Sequence, residues 1–557
     1  MRKFILTFAA VLLAAIALAA ATDGKGRSGD AAISRNLTTF NSIVKELQNN
    51  YVDSIAPDRA FKEAIDAFLA TVDPYTEYYP VDEQETLQKM TTGEYGGIGS
   101  YLMDRDSSTY ISAPMEGSPA ARAGIKAGDR ILRVDSVDVS RKLSADVTKL
   151  LRGRPNTQVS ITLQRPYAAD SILTVTLMRE NLQQPSVPYH AVIGNTGYIQ
   201  LTSFINKSPQ EVRAALDEFK ADPRVKNIVL DLRGNGGGLL ESAVDIVGNF
   251  VPKGTEVLRT RGRDKASEKI YKTTSTPIFP DIPLAVLIDG ASASASEITA
   301  GALQDLDRAV LVGSRSYGKG LVQSTRPLPY DGLLKVTIAK YYIPSGRLIQ
   351  ALDYSHRNPD GSVARTPDSL TNVYKTLHGR EVRDGGGLKP DVEVDWGTMN
   401  RMLYNIVRDF HAFDFATKYV AEHPTIPAPE DFEITDEIYA DFKASIDPEK
   451  FQYDKVCEEM VKQLRETAEA EGYMNDATKA QIDTLAKLLT HDLQHDLDTK
   501  RPEISEYLAG EIVGRYYYDR GRIIQDLKTD NGIRKAREVL NDPAEYRRML
   551  SAPKKEE

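Results

Sequence analysis

Apolar positions change their spacing several times along the chain. From Asn36 to about Gln88, Leu37, Phe40, Val44, Leu47 and Tyr51 recur at helical spacing. Ala60 to Leu69 supplies a second helical face, and Val52 to Asp58, with Pro57, predicts a turn between the two. From Gly93 to Arg179 the pattern shifts to short β-branched runs. Ile98–Met103, Tyr110–Ala113, Arg130–Val134, Val159–Leu163 and Leu173–Leu177 predict strands, with helical pieces at Pro119–Ala123 and Ser144–Leu151. Past Gln183 strands and helices alternate. Strands are predicted at Tyr198–Leu201, Asn227–Leu232, Leu284–Ile288, Ala309–Val312 and Leu334–Ile343. Ser208-Pro209-Gln210-Glu211 reads as a capping box with proline at the first helical position, and another helix should follow the glycines at 236–238. Beyond about Asp395 the chain is helical again, rich in Glu, Lys, Asp and Tyr, without repeats or low-complexity blocks. The predicted segments are a leader at 1–21, a helical region at 30–88, a strand-rich domain at 89–182, an α/β core at 183–395 and a helical region at 396–557.

Length supports this division, because 557 residues exceed what one core organises, and about three or four domains are expected. A 41% hydrophobic and 27% charged composition is that of globular chains. The net charge of −9, without a long basic block, argues against nucleic acid as a partner. Arg2 and Lys3 precede an apolar run from Phe4 to Ala21 that ends in small-residue cleavage sites, which predicts a signal peptide over 1–21. An uncleaved membrane anchor is the alternative, since the run approaches spanning length. The expected location is therefore outside the cytoplasm, in a periplasm or cell envelope, with membrane association left open. Cys457 is the only cysteine, so no intramolecular disulfide can form.

The stretch GASASASEITAGALQDLDRAVLVGSRSYGKGLVQ, from Gly290 to Gln323, concentrates the candidate chemistry. Ser294 stands three residues before Glu297 and an apolar helical pattern of Ile298, Ala302, Leu303 and Leu306. Alone, this is a capping box with no catalysis implied. The same geometry sets a serine beside free backbone N–H groups and the positive end of a helix dipole, which can stabilise an oxyanion. Lys319 lies between Gly318 and Gly320, ahead of Leu321, Val322 and Gln323. To act as a base it must be neutral, and lowering its pKa from about 10.4 towards 7 or 8 costs roughly 4 kcal/mol. A solvated lysine on a turn is the plainer alternative.

No histidine occurs between Gly194 and Gln350 and no G-x-S-x-G elbow exists, which argues against a Ser-His-Asp hydrolase. Ser316-Tyr317-Gly318-Lys319 reads S-x-x-K, but the accompanying S-D-N and K-T-G are missing. Asp231 to Gly238 is a buried-looking strand ending in glycines, without the spacing of a P-loop or dinucleotide site. His491 and His495, four apart, are expected on one solvated helical face. No metal or cofactor is expected.

GEYGGIGSYL followed by EGSPAARAGIKAGDRILRVD resembles a PDZ domain. Gly96, Gly97 and Gly99 let consecutive N–H groups face one carboxylate, so Gly97, Ile98 and Gly99 are the expected peptide-binding residues. The adjoining strand would pair with an incoming tail, and the helix from Ser144 would form the other wall. GASASASEITAGALQD with SYGKGLVQ resembles the carboxyl-terminal processing, or tail-specific, proteases of peptidase family S41, which use a Ser-Lys dyad. That family's pattern has its nucleophile 25 residues before the lysine and a glutamine four after it, and with 319 − 294 = 25 and 323 − 319 = 4 the resemblance assigns that role to Ser294, not Ser292 or Ser296. DPYTEYY, VLDLRGNGGGLL, YYIPSGRLIQ and LKPDVEV extend the similarity over about 36–395.

The resemblance implies a multidomain α/β protein: a PDZ domain and a ClpP/crotonase-like protease core, with N- and C-terminal helical regions. It implies Ser294 as nucleophile, Lys319 as base and Gln323 as its orienting partner. It places the oxyanion hole at Ala295 with Gly236 or Gly237. Its substrates would be proteins with exposed, nonpolar C-termini. Residues beyond about 396 lie outside the common family core and are open to self-association or adaptor binding. A non-catalytic PDZ scaffold and a small ester or amide hydrolase are the competing readings, and a tail groove disfavours the second.

Overall fold

A computed structural model describes residues 29–552, and the expected signal peptide lies outside the described residues. The chain divides into two compact units, ending and starting at Tyr78 and Tyr79. In the first, residues 29–50 are helical and a second helix spans Pro57–Ala70. Pro57 does not sit within the turn; it opens the helix, where its missing N–H has no intrahelical partner to lose. Phe40 and Phe61 meet edge to face with centroids 6.1 Å apart. Among the described residues no helix is long and apolar enough to cross a membrane.

In the second unit the strand-rich segment is an antiparallel sheet ordered Ser100–Arg105, Ser108–Pro114, Arg130–Val134, Gln158–Gln164 and Ile172–Met178. Inward-facing Ile111, Ile131, Val159, Ile161 and Leu163 pack with Val147 of the helix Ser144–Leu151. The first strand starts two residues later than the apolar run suggests, because Gly99 turns the chain at φ +74. A ribbon of Glu94–Gly97 with Glu180–Gln183 ties the entry of this domain to its exit.

The core is a six-stranded sheet ordered Tyr189–Ile193, Thr196–Gln200, Asn227–Asp231, Leu284–Ile288, Val310–Gly313 and Val392–Glu393. Its first pair is antiparallel and the remaining pairs are parallel. Every residue of Asn227–Asp231 and Leu284–Ile288 is buried, as expected of parallel strands covered on both faces. One face packs on the helices Ser208–Ala221, Leu240–Val247 and Ala295–Asp305. The other is closed by the last helices of the chain, through Ile533, Ala536, Val539, Leu540 and Tyr546. The Tyr546 hydroxyl accepts the Leu284 N–H at 3.0 Å. The C-terminal helical region is therefore built into the core it follows.

A second antiparallel sheet orders Leu321–Pro327, Leu333–Tyr342, Glu256–Gly262 and Lys269–Lys272. The expected capping box at Ser208 does not form: the helix begins at Ser208 after Lys207, with no side-chain cap. Glu211 instead accepts the N–H groups of Ser186 and Val187 and the Ser186 hydroxyl, at 2.8–2.9 Å. His491 and His495 do not share a helical face, because His491 precedes the helix Leu493–Thr499.

Candidate active site

The strand Leu284–Ile288 leads through a tight loop into the helix Ala295–Asp305. Asp289 holds the loop, accepting the N–H groups of Ala291 and Ser292 at 3.0 Å and of Gly234 at 3.1 Å. Of the three serines, two are structural. Ser292 is fully buried with its hydroxyl donating to Leu232 O at 2.8 Å, and buried Ser296 donates to Asn235 O at 2.8 Å. Ser294 lines a cleft of about 830 Å³ together with Lys319 and Gln323. Its backbone, at φ 55 and ψ −112, is in a region a non-glycine residue enters at a cost of about 1–3 kcal/mol. Such strain persists only where the surroundings over-determine it.

Glu297 is what over-determines it. The side chain is fully buried, and its Oε2 accepts the Ser294 N–H at 2.9 Å and the Lys319 N–H at 2.9 Å. Oε1 accepts the Gly318 N–H at 2.7 Å and the Ser316 hydroxyl at 2.5 Å. Burial pushes the Glu297 carboxyl above its ordinary pKa, against the pull of these donors. The sequence presents Glu297 only as a cap, and the cap bond to the Ser294 N–H is indeed made. Its larger role, joining two loops, has no local signal. Tyr341 adds a second tie, with its hydroxyl 2.7 Å from Lys319 O and 3.2 Å from Ser294 O.

Lys319 sits in the turn that starts the strand Leu321–Pro327. Gly318 has φ +91, and a Cβ there would lie 2.4 Å from Ala351 Cβ, so the turn needs glycine. The Gln323 amide nitrogen donates to Thr337 Oγ1 at 3.1 Å. Opposite Ser294 runs the loop after Asn227–Asp231. Gly237, at φ +99, passes so close that a Cβ would lie 2.8 Å from Ser294 Cβ and 2.9 Å from the Ala295 nitrogen. The Gly237 N–H is committed to Asn235 Oδ1 at 2.9 Å. The N–H groups of Gly236 and Ala295 meet no acceptor among the described residues.

A second groove, of about 360 Å³, lies between the strand Ser100–Arg105 and the helix Ser144–Leu151. Gly97, Ile98 and Gly99 line its closed end, with the Ile98 side chain turned into the domain core. The Ile98 and Gly99 N–H groups meet no acceptor among the described residues, and the Ser100 hydroxyl beside them is buried without a partner. Lys89 and Gln184 line this groove and the Ser294 cleft alike.

Residues 195–363 match the profile of peptidase family S41, residues 110–165 a PDZ domain, and residues 402–540 a domain described as "Probable PDZ-protease, C-terminal helical domain". A carboxy-terminal-processing protease of Bartonella bacilliformis is 33% identical over 368 residues, covering 65% of this chain and 83% of its own. A probable CtpA-like serine protease of Staphylococcus aureus is 34% identical over 316 residues, 56% of this chain and 62% of its own. Among solved structures, a photosystem II D1 C-terminal processing protease is 27% identical and covers 64% of this chain and 86% of its own, with a TM-score of 0.35. A PDZ domain, an S41 core and a C-terminal helical domain thus follow one another in a chain that belongs to the carboxy-terminal-processing serine proteases of peptidase family S41.

Proposed function

We propose that the protein is an exported endopeptidase that captures protein C-termini in its PDZ groove and cleaves them with a Ser294/Lys319 dyad. The observation that carries this reading is the shared Glu297 oxygen, which fixes the backbones of Ser294 and Lys319 on one cleft wall. A carboxylate offers about four lone-pair sites, and those of Glu297 are taken by two N–H groups at Oε2 and by an N–H and a hydroxyl at Oε1.

In the reaction Lys319 Nζ takes the Ser294 Oγ proton as Oγ bonds to the scissile carbonyl carbon. The carbonyl oxygen becomes an oxyanion facing the N–H groups of Ala295 and Gly236, with Gly237 shaping the loop. As the C–N bond breaks, Nζ returns the proton to the leaving amine, and the acyl group stays on Oγ. Water then attacks the ester carbon as Nζ takes one of its protons, the C–Oγ bond breaks to release the acid, and Nζ gives the proton to Oγ, which restores Ser294. Gln323 is suited to orient Nζ through its amide oxygen, since its nitrogen is occupied by Thr337. The substrate tail would place its carboxylate at the Ile98 and Gly99 N–H groups and run along the strand Ser100–Arg105. Nonpolar tails fit a groove that includes Tyr95, Leu102 and Leu151. The leader at 1–21 would deliver the chain to a periplasm or cell envelope.

The test is digestion of an unfolded protein carrying a free nonpolar C-terminus, beside the same protein with its terminus amidated. Ser294→Ala and Lys319→Arg should bind the tail and not cut, because guanidinium does not give up a proton near neutral pH. Cutting by Ser294→Ala would overturn the dyad, and equal cutting of the amidated protein would overturn tail capture.

A further inference from the structure

Residues 396–552 contribute nothing to the lining of the Ser294 cleft. One of their carboxylates nevertheless reaches the loop that faces it. Arg233 stands directly before Gly234 to Gly238, and its guanidinium lies between two aspartates. It donates to Asp231 Oδ1 at 2.9 Å and to Asp231 Oδ2 at 2.6 Å, and it pairs with Asp530 Oδ2 at 2.7 Å. The indole of Trp396 closes the remaining side, 5.0 Å away. Asp231 is itself buried and accepts the Tyr198 hydroxyl at 2.8 Å. The Arg233 and Asp530 side chains are only 19% and 14% exposed, so this pair is shielded from water in a way surface pairs are not.

Asp530 does two jobs at once. Its Oδ1 accepts the Ile533 N–H at 2.8 Å and caps the helix Asn531–Leu540, which packs on the core sheet. Its Oδ2 holds Arg233. Downstream of Arg233 the chain is glycine-rich and intrinsically loose. Gly234 is tied to Asp289, which also secures the loop leading to Ser294. Buried Asn235 is held by Leu201 and Ser296 and Gly237 by Phe204, while Gly236 between them has no bond of its own. Arg233 thus anchors the start of the segment that carries the Gly236 N–H, alongside the ties at Asn235 and Gly237, and oxyanion donors must sit at about 2.7–3.1 Å from the oxygen they stabilise.

We propose that Asp530 is a positioning residue for peptide-bond cleavage: through Arg233 it sets the glycine loop opposite Ser294, which makes the C-terminal helical region part of the catalytic unit. This inference rests on the proposed roles of Ser294, Ala295 and Gly236. Asp530→Asn separates its two jobs, because asparagine caps a helix as well as aspartate does but cannot neutralise Arg233. The measurements on the full-length protein are kcat and KM for a tail-bearing peptide, tail affinity, melting temperature, and amide exchange at Gly234–Gly238.

Asp530→Asn should lower kcat on the order of tenfold to a hundredfold and speed exchange in the loop, with KM, tail affinity and melting temperature held. Asp530→Ala, which loses the cap as well, should also melt earlier. An active Asp530→Asn protein with wild-type kcat overturns the inference. So does a kcat loss matched by a melting shift as large as that of Asp530→Ala, since that marks a merely structural role. A wild-type protein that is not acylated at Ser294 would instead sink the proposed function itself.

Discussion

Ser294 and Lys319 hang from a single oxygen, each donating its backbone N–H to Glu297 Oε2 at 2.9 Å. The two loops that carry them come from opposite ends of the helix Ala295–Asp305 and the strand Val310–Gly313. A shared acceptor makes their separation a property of one buried side chain. Reach between the proposed nucleophile and base is then fixed before substrate arrives, which is what positioning contributes to catalysis.

Glu297→Gln should therefore be far more damaging than an isosteric change suggests. A glutamine turns one of the two acceptor oxygens into an NH2 group, so at least one of the donors now at 2.5–2.9 Å faces another donor. Buried mismatches of this kind cost about 3 kcal/mol, which corresponds to a loss of about two orders of magnitude in acylation rate. Labelling of Ser294 by a serine-directed acylating probe measures it. Wild-type labelling by Glu297→Gln would show that the clamp is dispensable.

Much of this architecture was legible because burial and sequence pattern coincide. The strands Arg130–Val134 and Leu284–Ile288 and the helix Ser144–Leu151 have the bounds their apolar runs predict. The family resemblance singles out Ser294 by its distance from Lys319, and the proposal gains support from the fold, where the Ser292 and Ser296 hydroxyls are buried in structural bonds. The strand Glu256–Gly262 was hidden by the charges of Glu256, Arg259 and Arg261 around its buried Val257 and Leu258. Glu211 misled for another reason, since S-x-x-E is the same string whether the glutamate caps its own helix or serves Ser186 and Val187. The Arg233–Asp530 pair joins residues too distant in the chain for any local pattern to connect.

Gly237→Ala should abolish cleavage and leave tail binding intact. The new Cβ would lie 2.7 Å from Ala293 O, 2.8 Å from Ser294 Cβ and 2.9 Å from the Ala295 nitrogen. All three belong to the turn that carries Ser294, the proposed nucleophile, so unless the glycine loop retreats, relief displaces Ser294 or the Ala295 N–H. Misplacing one oxyanion donor costs about a hundredfold to a thousandfold in kcat. Tail affinity, read by fluorescence polarisation on a labelled peptide, should match the wild type, because the groove at Ile98 and Gly99 shares no lining residue with this turn. Undiminished kcat in Gly237→Ala would show that the loop is free to retreat.

Two inactive variants at Ser294 should differ in stability. Glycine tolerates φ 55 and ψ −112, whereas alanine keeps the strain and is also a poor helix N-cap. Ser294→Gly should exceed Ser294→Ala by about 1–2 kcal/mol in urea unfolding. With the proposed nucleophile gone neither protein should digest itself, which keeps autolysis out of the comparison. Equal midpoints would mean that the turn relaxes when the serine is removed.

Asp526 gives the fold a pH dependence of unusual sign. It shares a pocket with Arg233 and Asp530, and partial desolvation there pushes its carboxyl up from 3.8 to about 6, with Glu506, Asp530 and Glu511 adding to the effect and Arg522 opposing it, while the residue keeps a solvent-exposed side. A carboxyl whose folded pKa is raised binds its proton more tightly in the native state. Its ionisation costs nothing below about pH 4 and costs more as pH rises to about 6; above that the cost levels off at about 1 kcal/mol, because solvent at the exposed side chain screens most of it. Asp526→Asn should remove the cost by keeping an uncharged side chain of the same shape. In a Ser294→Ala background it should stabilise the protein by about 1 kcal/mol at pH 7.5, and the gain should vanish near pH 4. Urea unfolding at the two pH values decides it. A gain equal at both would trace the effect to packing, and no gain at pH 7.5 would mean that water reaches Asp526 well enough to hold its charge.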